Sequence, residues 1–188
     1  MQIYHLPIPV PDFLVSIHIW LSLRCKEIKY NCKLRGIKLT LGKYAIVSLE
    51  DYERLNRHKW HTLTSHRTFY AMRTENYKTI YMHNEVIPPQ ADKVIDHIDR
   101  NGLNNSRSNL RLASRSQNCY NRKKKAGVRS KYKGVSYVKD RKKKWRVCVT
   151  HNGKRIYLGY FDNQFDAAKA YDNAAKKYHK NFAVLNFP

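Results

Sequence analysis

"VIDHIDRNGLNNSRSNLRLASRSQN", residues 94–118, is the stretch whose reading decides the fold. Val94 and Ile95 open an apolar run, Asp96 and His97 interrupt it, and Ile98 resumes it. Five asparagines follow within the same stretch. The pattern predicts a strand, a long loop, a second strand over residues 110–113 and a helix. Ser114 and Gln117 form an S-x-x-Q capping box, which starts that helix at Arg115 and puts Asn118 in its first turn.

These residue types suit phosphodiester hydrolysis. The reaction needs a base for water, a cation to carry charge off the leaving oxygen, and a grip on the phosphate. Asp96 offers a hard oxygen ligand, and Asn118 can return over the strand end with an amide oxygen. An oxygen-only set with open water positions favours Mg²⁺ or Mn²⁺. A neutral imidazole at His97 can accept a proton near pH 7. Asn104, Asn105 and Asn109 suit an irregular loop, because asparagine side chains satisfy backbone groups there. Adjacent residues on an ideal strand face opposite sides, so this chemistry requires the strand to twist or end at Asp96–His97. The residues alone leave a second possibility: a strand-end turn, with Asp96 capping the loop and His97 half exposed.

The whole stretch resembles the HNH homing-endonuclease motif, whose strand–loop–strand–helix core carries an Asp-His pair, a loop asparagine and a helical asparagine. The resemblance implies that Asp96 and Asn118 bind a divalent metal, Mg²⁺ ahead of Mn²⁺. It implies His97 as general base and Asn109 as the residue that holds the loop. The chain departs from the motif at Arg100, where glycine is usual. It departs again in "MHNEVI", where Asn84 stands at a position that is often arginine in related nucleases. His83 either approaches the phosphate or has a structural role. Residues 38–87, with "LTLGKYAIVSLEDYERLNRHKW", "YAMR" and "MH", resemble the N-terminal part of phage and intron-borne HNH proteins. Within them the pattern predicts strand over 37–48 with a turn at Gly42, a short helix capped by Ser48 with Asp51 three residues on, and a hairpin over 69–83.

Further along, "YKGVSYV", "KWRVCVT" and "RIYLGYF" read as three strands, with "HNGK" turning between the last two. Trp145, Val147 and Val149 alternate with Arg146, Cys148 and Thr150, and Ile156 and Leu158 alternate with Arg155 and Tyr157. Each strand thus has one apolar and one polar face. A helix follows, with Asn163 as N-cap and Asp166 three residues on. Phe165, Ala168, Tyr171, Ala175 and Tyr178 recur at helical spacing on it. Such a helix covers the apolar face and leaves Arg146, Arg155 and Tyr157 open. Residues 130–188 resemble the APETALA/ethylene-response-factor DNA-binding domain through "YKGV", Trp145, "RIYLGYFD", "AAKAYDNAA" and "LNFP". The resemblance implies a three-stranded sheet in the DNA major groove, backed by a helix. Lys133 replaces an arginine of that family and is assigned to a phosphate, and Arg155 and Tyr157 fall at contacting positions. Arg146 is added from strand parity. Ser136 and Val138 stand where plant members carry base-reading arginines, so the plant target does not transfer.

Charge points the same way. The 188 residues hold 37 Lys+Arg against 14 Asp+Glu, a formal net charge of +23. Residues 122–146 alone contain 13 Lys+Arg and one acid, Asp140. Such an excess calls for a polyanionic partner. Cys25, Cys32, Cys119 and Cys148 form no C-x-x-C pair, so neither a zinc ribbon nor a redox motif is indicated, and scattered thiols suit a reducing compartment. "LPIPVPDFLVSIHIWLSL", residues 6–23, is apolar but short, and interrupted by Asp12, His18 and prolines, so a buried or disordered segment is expected rather than a membrane anchor.

The expected architecture is α+β. Residues 1–36 form an N-terminal extension, buried or disordered. Residues 37–121 form a mixed nuclease domain with a strand–loop–strand–helix metal core. Residues 122–129 form a basic linker, and 130–188 a three-stranded antiparallel sheet packed on one helix. The expected function is a site-specific, metal-dependent DNA endonuclease of homing type, acting on double-stranded DNA. It would be cytoplasmic or nucleoid-associated, not secreted, with no membrane and no obligatory protein partner. The alternatives are a DNA-binding regulator with a decayed nuclease domain, and an RNA-binding or ribosome-associated protein. The sheet lacks the exposed aromatic pattern of a single-strand RNA reader.

Overall fold

The computed structural model describes residues 12–65, 68–124 and 129–188. They form two compact units: residues up to Ile87 together with Asn101–Leu110, and Pro88–Arg100 together with Arg111–Pro188.

The first unit opens with helix α1 (Asp12–Tyr30), which occupies most of the stretch expected to be an extension; residues 1–11 lie outside the described residues. No described helix is long and apolar enough to cross a membrane. Strands β1 (Leu34–Lys38) and β2 (Tyr44–Ser48) form an antiparallel hairpin. Leu41 and Gly42 make its turn with φ of 58° and 62°, a left-handed pair that a hairpin's twist favours. Leu34 and Val47 are fully buried. Helix α2 (Leu49–Asn56) follows and buries Leu55. Ser48 stands at its N-cap, as expected, but its side chain makes no cap bond. Its hydroxyl instead accepts the Arg107 N–H at 3.0 Å. Asp51 accepts two hydrogen bonds from the Arg107 guanidinium (2.8 and 2.9 Å) and one from Arg54 (2.8 Å). The helix start is therefore used to fasten the loop 101–110. A three-stranded antiparallel sheet comes next: β3 (His61–Thr64), β4 (Phe69–Glu75) and β5 (Lys78–Tyr81). The expected hairpin is β4–β5; β3 adds an edge that the polar sequence "HTLT" did not announce. Helix α3 (Met82–Val86) closes this part.

The loop 101–110 has buried amides. Asn104, Asn105 and Asn109 are fully buried. Ile46 N–H donates to Leu103 O (2.8 Å) and Asn105 N–H to Ile46 O (2.7 Å), so the loop pairs with β2. Asn109 Nδ2 donates to Asn104 O at 2.8 Å, and Ser106 Oγ to Asn104 Oδ1 at 2.9 Å. A buried irregular segment has no helix or sheet ladder to satisfy its polar groups, and the short amide side chains do that work. Gly102 is required by space: a Cβ there would lie 2.5 Å from the Phe69 carbonyl oxygen. A single 3-10 turn, Arg107–Asn109, ends the loop.

The second unit carries β6 (Val94–His97), which pairs with β7 (Leu110–Ala113), and helix α4 (Arg115–Tyr120). Both halves of the capping box form: Gln117 N–H donates to Ser114 Oγ, and Ser114 N–H to Gln117 Oε1. The linker assigned to 122–129 falls partly outside the described residues, at 125–128. Strands β8 (Val135–Tyr137), β9 (Trp145–His151) and β10 (Lys154–Phe161) form an antiparallel sheet ordered β10–β9–β8. Helix α5 (Gln164–His179) packs against it, and Asn163 Oδ1 accepts the Asp166 N–H as its cap. Val135, Val147, Val149, Ala168, Tyr171 and Ala175 form the core between sheet and helix. Alanines on the helix bring it close to the sheet. Gly134, at φ 76°, passes so close to Tyr171 that an added Cβ would lie 1.9 Å from the ring. Phe165 departs from the expected core stripe: it is exposed and rests against Phe187. Buried Asp172 accepts the Asn186 and Phe187 N–H groups (2.8 and 2.9 Å), which ties "LNFP" to the helix.

Candidate active site and nucleic-acid interface

Strand β6 ends at His97, and a turn closes directly after it, with Arg100 N–H donating to His97 O at 2.9 Å. That early ending lets both neighbours be buried: Asp96 is 4% exposed and His97 7%. A half-exposed His97 is not what the structure shows. Arg100 sits at φ 66°, which gives a reason for glycine being usual there.

The Asp96 carboxylate is held at both oxygens. Arg111, on the paired strand β7, donates from Nε to Oδ2 at 2.8 Å, and its Nη2 lies 2.8 Å from the same oxygen. Asn121 Nδ2 donates to Oδ1 at 2.9 Å and to His97 O at 2.8 Å. Asn121, just past α4, is thus the amide seen over the strand end, whereas the sequence pointed to Asn118. The two are three residues apart and so neighbours on one helical face. The quoted stretch stops at Asn118; the same spacing extended by one turn would have found Asn121. Arg111 was legible only as strand alternation. Its guanidinium also donates to Asn181 O (2.7 Å) and lies 3.7 Å from the centre of the Phe182 ring.

A divalent ion can be tested against this donor set. Among the described residues no group of three or more His, Cys, Asp and Glu gathers to hold a metal ion. Mg²⁺ needs no such gathering, because it takes one or two protein oxygens and keeps its waters. Oδ2 of Asp96 has two Arg111 nitrogens at 2.8 Å, whereas Oδ1 accepts from Asn121 and keeps a second lone-pair direction. Asp96 therefore fits a hard cation that keeps most of its waters.

Asn109 and His83 belong to the first unit. Asn109 pins the loop through Asn104 O, as described. His83 lies on α3, its ring stacked on Tyr81 (centroids 5.3 Å apart) and edge-on to Tyr70 (5.9 Å). Glu85 on the same short helix takes the Arg73 guanidinium at 2.6 Å, which fixes α3 on β4.

On the sheet, β9 and β10 place Arg155 opposite Thr150 and Tyr157 opposite Cys148, and β8 places Ser136 opposite Arg146. These residues share the face that α5 does not cover. Arg155 is exposed, as is Tyr157 at 53%, while Arg146 is half-buried with Nε donating to Ser136 Oγ (3.3 Å). A bulge between Tyr157 and Gly159 shifts the register, so Tyr160 pairs with Arg146 and joins the same face. Tyr157 and Tyr160 lie 5.4 Å apart, and Arg141 stands 4.5 Å over Tyr160. Strict alternation missed this pair; the glycine inside the strand, at φ 117°, was the available signal.

Lys133 is placed differently from its assignment. Its ammonium donates to Tyr120 O, and burial, helped by the charge of Arg100, pushes its pKa down to about 8. Lys124 likewise donates to Tyr132 O (2.7 Å) and Val135 O (3.1 Å), and burial lowers its pKa. Two cations of the basic run thus serve carbonyls inside the unit.

Comparison with known proteins gives matches on the same two stretches. Residues 81–120 match the HNH endonuclease family model, and residues 130–181 match the AP2 domain model. An uncharacterized HNH endonuclease of Acanthamoeba polyphaga mimivirus is 29% identical over 158 residues, covering 77% of this chain and 75% of the viral protein. Protein 3.8 of Escherichia phage T7 is 46% identical over 61 residues, 32% of this chain and 50% of that protein. The AP2-like ethylene-responsive transcription factor TOE2 of Arabidopsis thaliana is 41% identical over 69 residues, 35% of this chain and 14% of the plant protein.

Proposed function

We propose that this chain is a metal-dependent DNA endonuclease that cuts at chosen sites, of the homing type carried by mobile elements. The observation that carries the reading is the buried Asp96–His97 pair at the end of β6, beneath an amide-bearing helix and followed by a separate basic sheet face. In this reading residues 37–121 form the nuclease domain, 122–129 the linker and 130–188 the DNA reader. Asp96 and Asn118 hold Mg²⁺ or Mn²⁺, which when bound would offset charge on the leaving oxygen. His97 accepts the proton of the attacking water, its imidazole held in place by burial at the strand end. Asn109 keeps the loop in shape, and His83 is assigned to the phosphate. Arg146, Arg155 and Tyr157 engage the duplex, joined by Tyr160 and Arg141. Tethering a weakly selective nuclease to a groove reader raises its effective concentration at one locus. The chain acts on double-stranded DNA inside a cell.

One observation favours a second reading, a DNA-binding regulator with a decayed nuclease: Arg111 already neutralises Asp96. Supercoiled plasmid separates the two. Nicking or linearisation with Mg²⁺ or Mn²⁺, abolished by EDTA and by His97→Ala with DNA binding kept, is the expected result. Tight binding without cleavage under either ion, on a pool of varied sites, overturns the enzyme.

A further inference from the structure

Arg111 joins two parts of the second unit that the sequence treats as separate domains. One edge of its guanidinium orients Asp96, and the other is bonded to Asn181 O and covered by the Phe182 ring. Asn181 and Phe182 lie in the short turn, Lys180–Phe182, that follows α5, the helix backing the DNA-reading sheet. Two further contacts join the same parts: Lys133 Nζ to Tyr120 O, and Asn152 N–H to Tyr120 OH at 2.7 Å.

We propose that Arg111 is a positioning residue for Asp96 and that the segment Asn181–Phe182 of the C-terminal module is what holds Arg111 in place. The module that reads DNA is then also a structural part of the ion-binding site. This rests on the assignment of Asp96 as a metal ligand. The physical reason is orientation. Arg111 occupies Oδ2 with two nitrogens and Asn121 takes one direction of Oδ1, so the direction left on Oδ1 is where a hard cation can use it. An arginine on a long stem keeps such a geometry only if both of its edges are fixed. Here one edge has Asp96, and the other has a carbonyl and an aromatic face. A shift of the Phe182 ring frees Arg111 to turn and lets the carboxylate turn with it. Residues that orient a ligand typically change metal affinity by about 10–100-fold when replaced. Phe182 acts one step further out, so an effect of about threefold to tenfold is expected on the scale of that range.

The test is Mn²⁺ binding to the full chain, read as free Mn²⁺ by electron paramagnetic resonance, with and without a nonspecific DNA duplex. The quantity followed is the Mn²⁺ binding that Asp96→Asn removes. Phe182→Leu keeps the apolar bulk and loses the ring face over the guanidinium; Phe182→Tyr keeps both. Arg111→Lys keeps the charge and loses the fork. Expected are weaker Mn²⁺ binding for Phe182→Leu and Arg111→Lys, near-normal binding for Phe182→Tyr, and no change for Tyr77→Ser, a control at a fully exposed residue in the turn between β4 and β5. Circular dichroism confirms that each variant is folded. Unchanged or tighter binding in folded Phe182→Leu overturns the proposal while leaving Asp96 as a ligand. If Asp96→Asn removes no Mn²⁺ binding with or without DNA, the metal assignment itself fails and takes the proposal with it. An unfolded Phe182→Leu sends the decision to Arg111→Lys and Phe182→Tyr, where equal affinities overturn it.

Discussion

The rings of Tyr120 and His179 lie face to face, their centroids 3.9 Å apart and their planes 10° from parallel. His179 Nε2 is 2.7 Å from Thr150 O and so carries the proton in the neutral ring, while Nδ1 is buried with no hydrogen-bond partner among the described residues. Burial holds the His179 pKa below its ordinary 6.5. The unfolded chain therefore takes up this proton more readily than the folded one. Stability contributed by neutral His179 is present above pH 6.5 and falls as the pH drops below it. Thermal melts from pH 7.5 to 5 should show a steeper loss for the wild-type chain than for His179→Gln. Parallel curves would mean that His179 does not couple to folding.

Replacing Arg155 or Arg146 with alanine should weaken DNA binding, and each should lower the slope of log K against log salt by about one unit where a phosphate contact is lost. Lys133→Met should leave that slope unchanged, because the Lys133 ammonium is turned to Tyr120 O. A slope reduced by Lys133→Met would restore it to the DNA-facing set.

Lys133 also predicts an alkaline signature. Its pKa falls from 10.5 to about 8 on folding. A lysine depressed in this way costs stability while it is charged, and the cost is relieved as the pH rises from about 8 towards 10.5. Stability of the wild-type chain relative to Lys133→Met should rise across that window in denaturant titrations.

Gly134→Ala should destabilise the C-terminal sheet by about 2–4 kcal/mol, combining a left-handed backbone with overpacking against Tyr171. Gly153→Ala, also at positive φ but with open space around its Cβ, should cost only about 1 kcal/mol. Urea unfolding of the two variants separates conformational strain from the clash; equal costs would show that Tyr171 moves aside.

Asp51→Asn should loosen the loop 101–110. Burial alone would raise the Asp51 pKa, but hydrogen bonds from Arg107 and Arg54 prevail and hold it below 3.8. The stabilisation it gives is present above that pH and lost as acid protonates it. Arg107 and Arg54 are half exposed and stay solvated, so losing their bonds to the carboxylate costs about 1–3 kcal/mol. Faster amide exchange at Asn105 and Arg107 in Asp51→Asn is the measurement; unchanged exchange would mean the loop is held by its asparagines alone.

Local signals were legible wherever one short stretch decided the outcome. The Ser114–Gln117 capping box, the Asn163 cap, the alternation of β9 and the Asp96–His97 strand end all follow from neighbours a few residues apart. What stayed hidden depends on partners far along the chain. Ser48 has the right type and place for a cap, yet its hydroxyl serves Arg107, 59 residues away. Arg111 reads as an ordinary strand arginine until Asn181 and Phe182 are seen beside it. Lys133 reads as a surface cation because sequence shows charge but not burial. Tyr160 joins the open face only because a single bulge reverses parity for everything after it.

The Arg111 contacts also carry a consequence for the order in which a ribosome delivers this chain. Asp96, His97 and Asn121 emerge well before Asn181 and Phe182 are made. A nascent chain halted between them has the acid, the imidazole and the amide, but nothing against the outer edge of Arg111. The outer support of Arg111 is thus made last, after strands β8 to β10 have been synthesised. If the chain cuts DNA as proposed, its ion-binding site stays incomplete until the C-terminal module has been made.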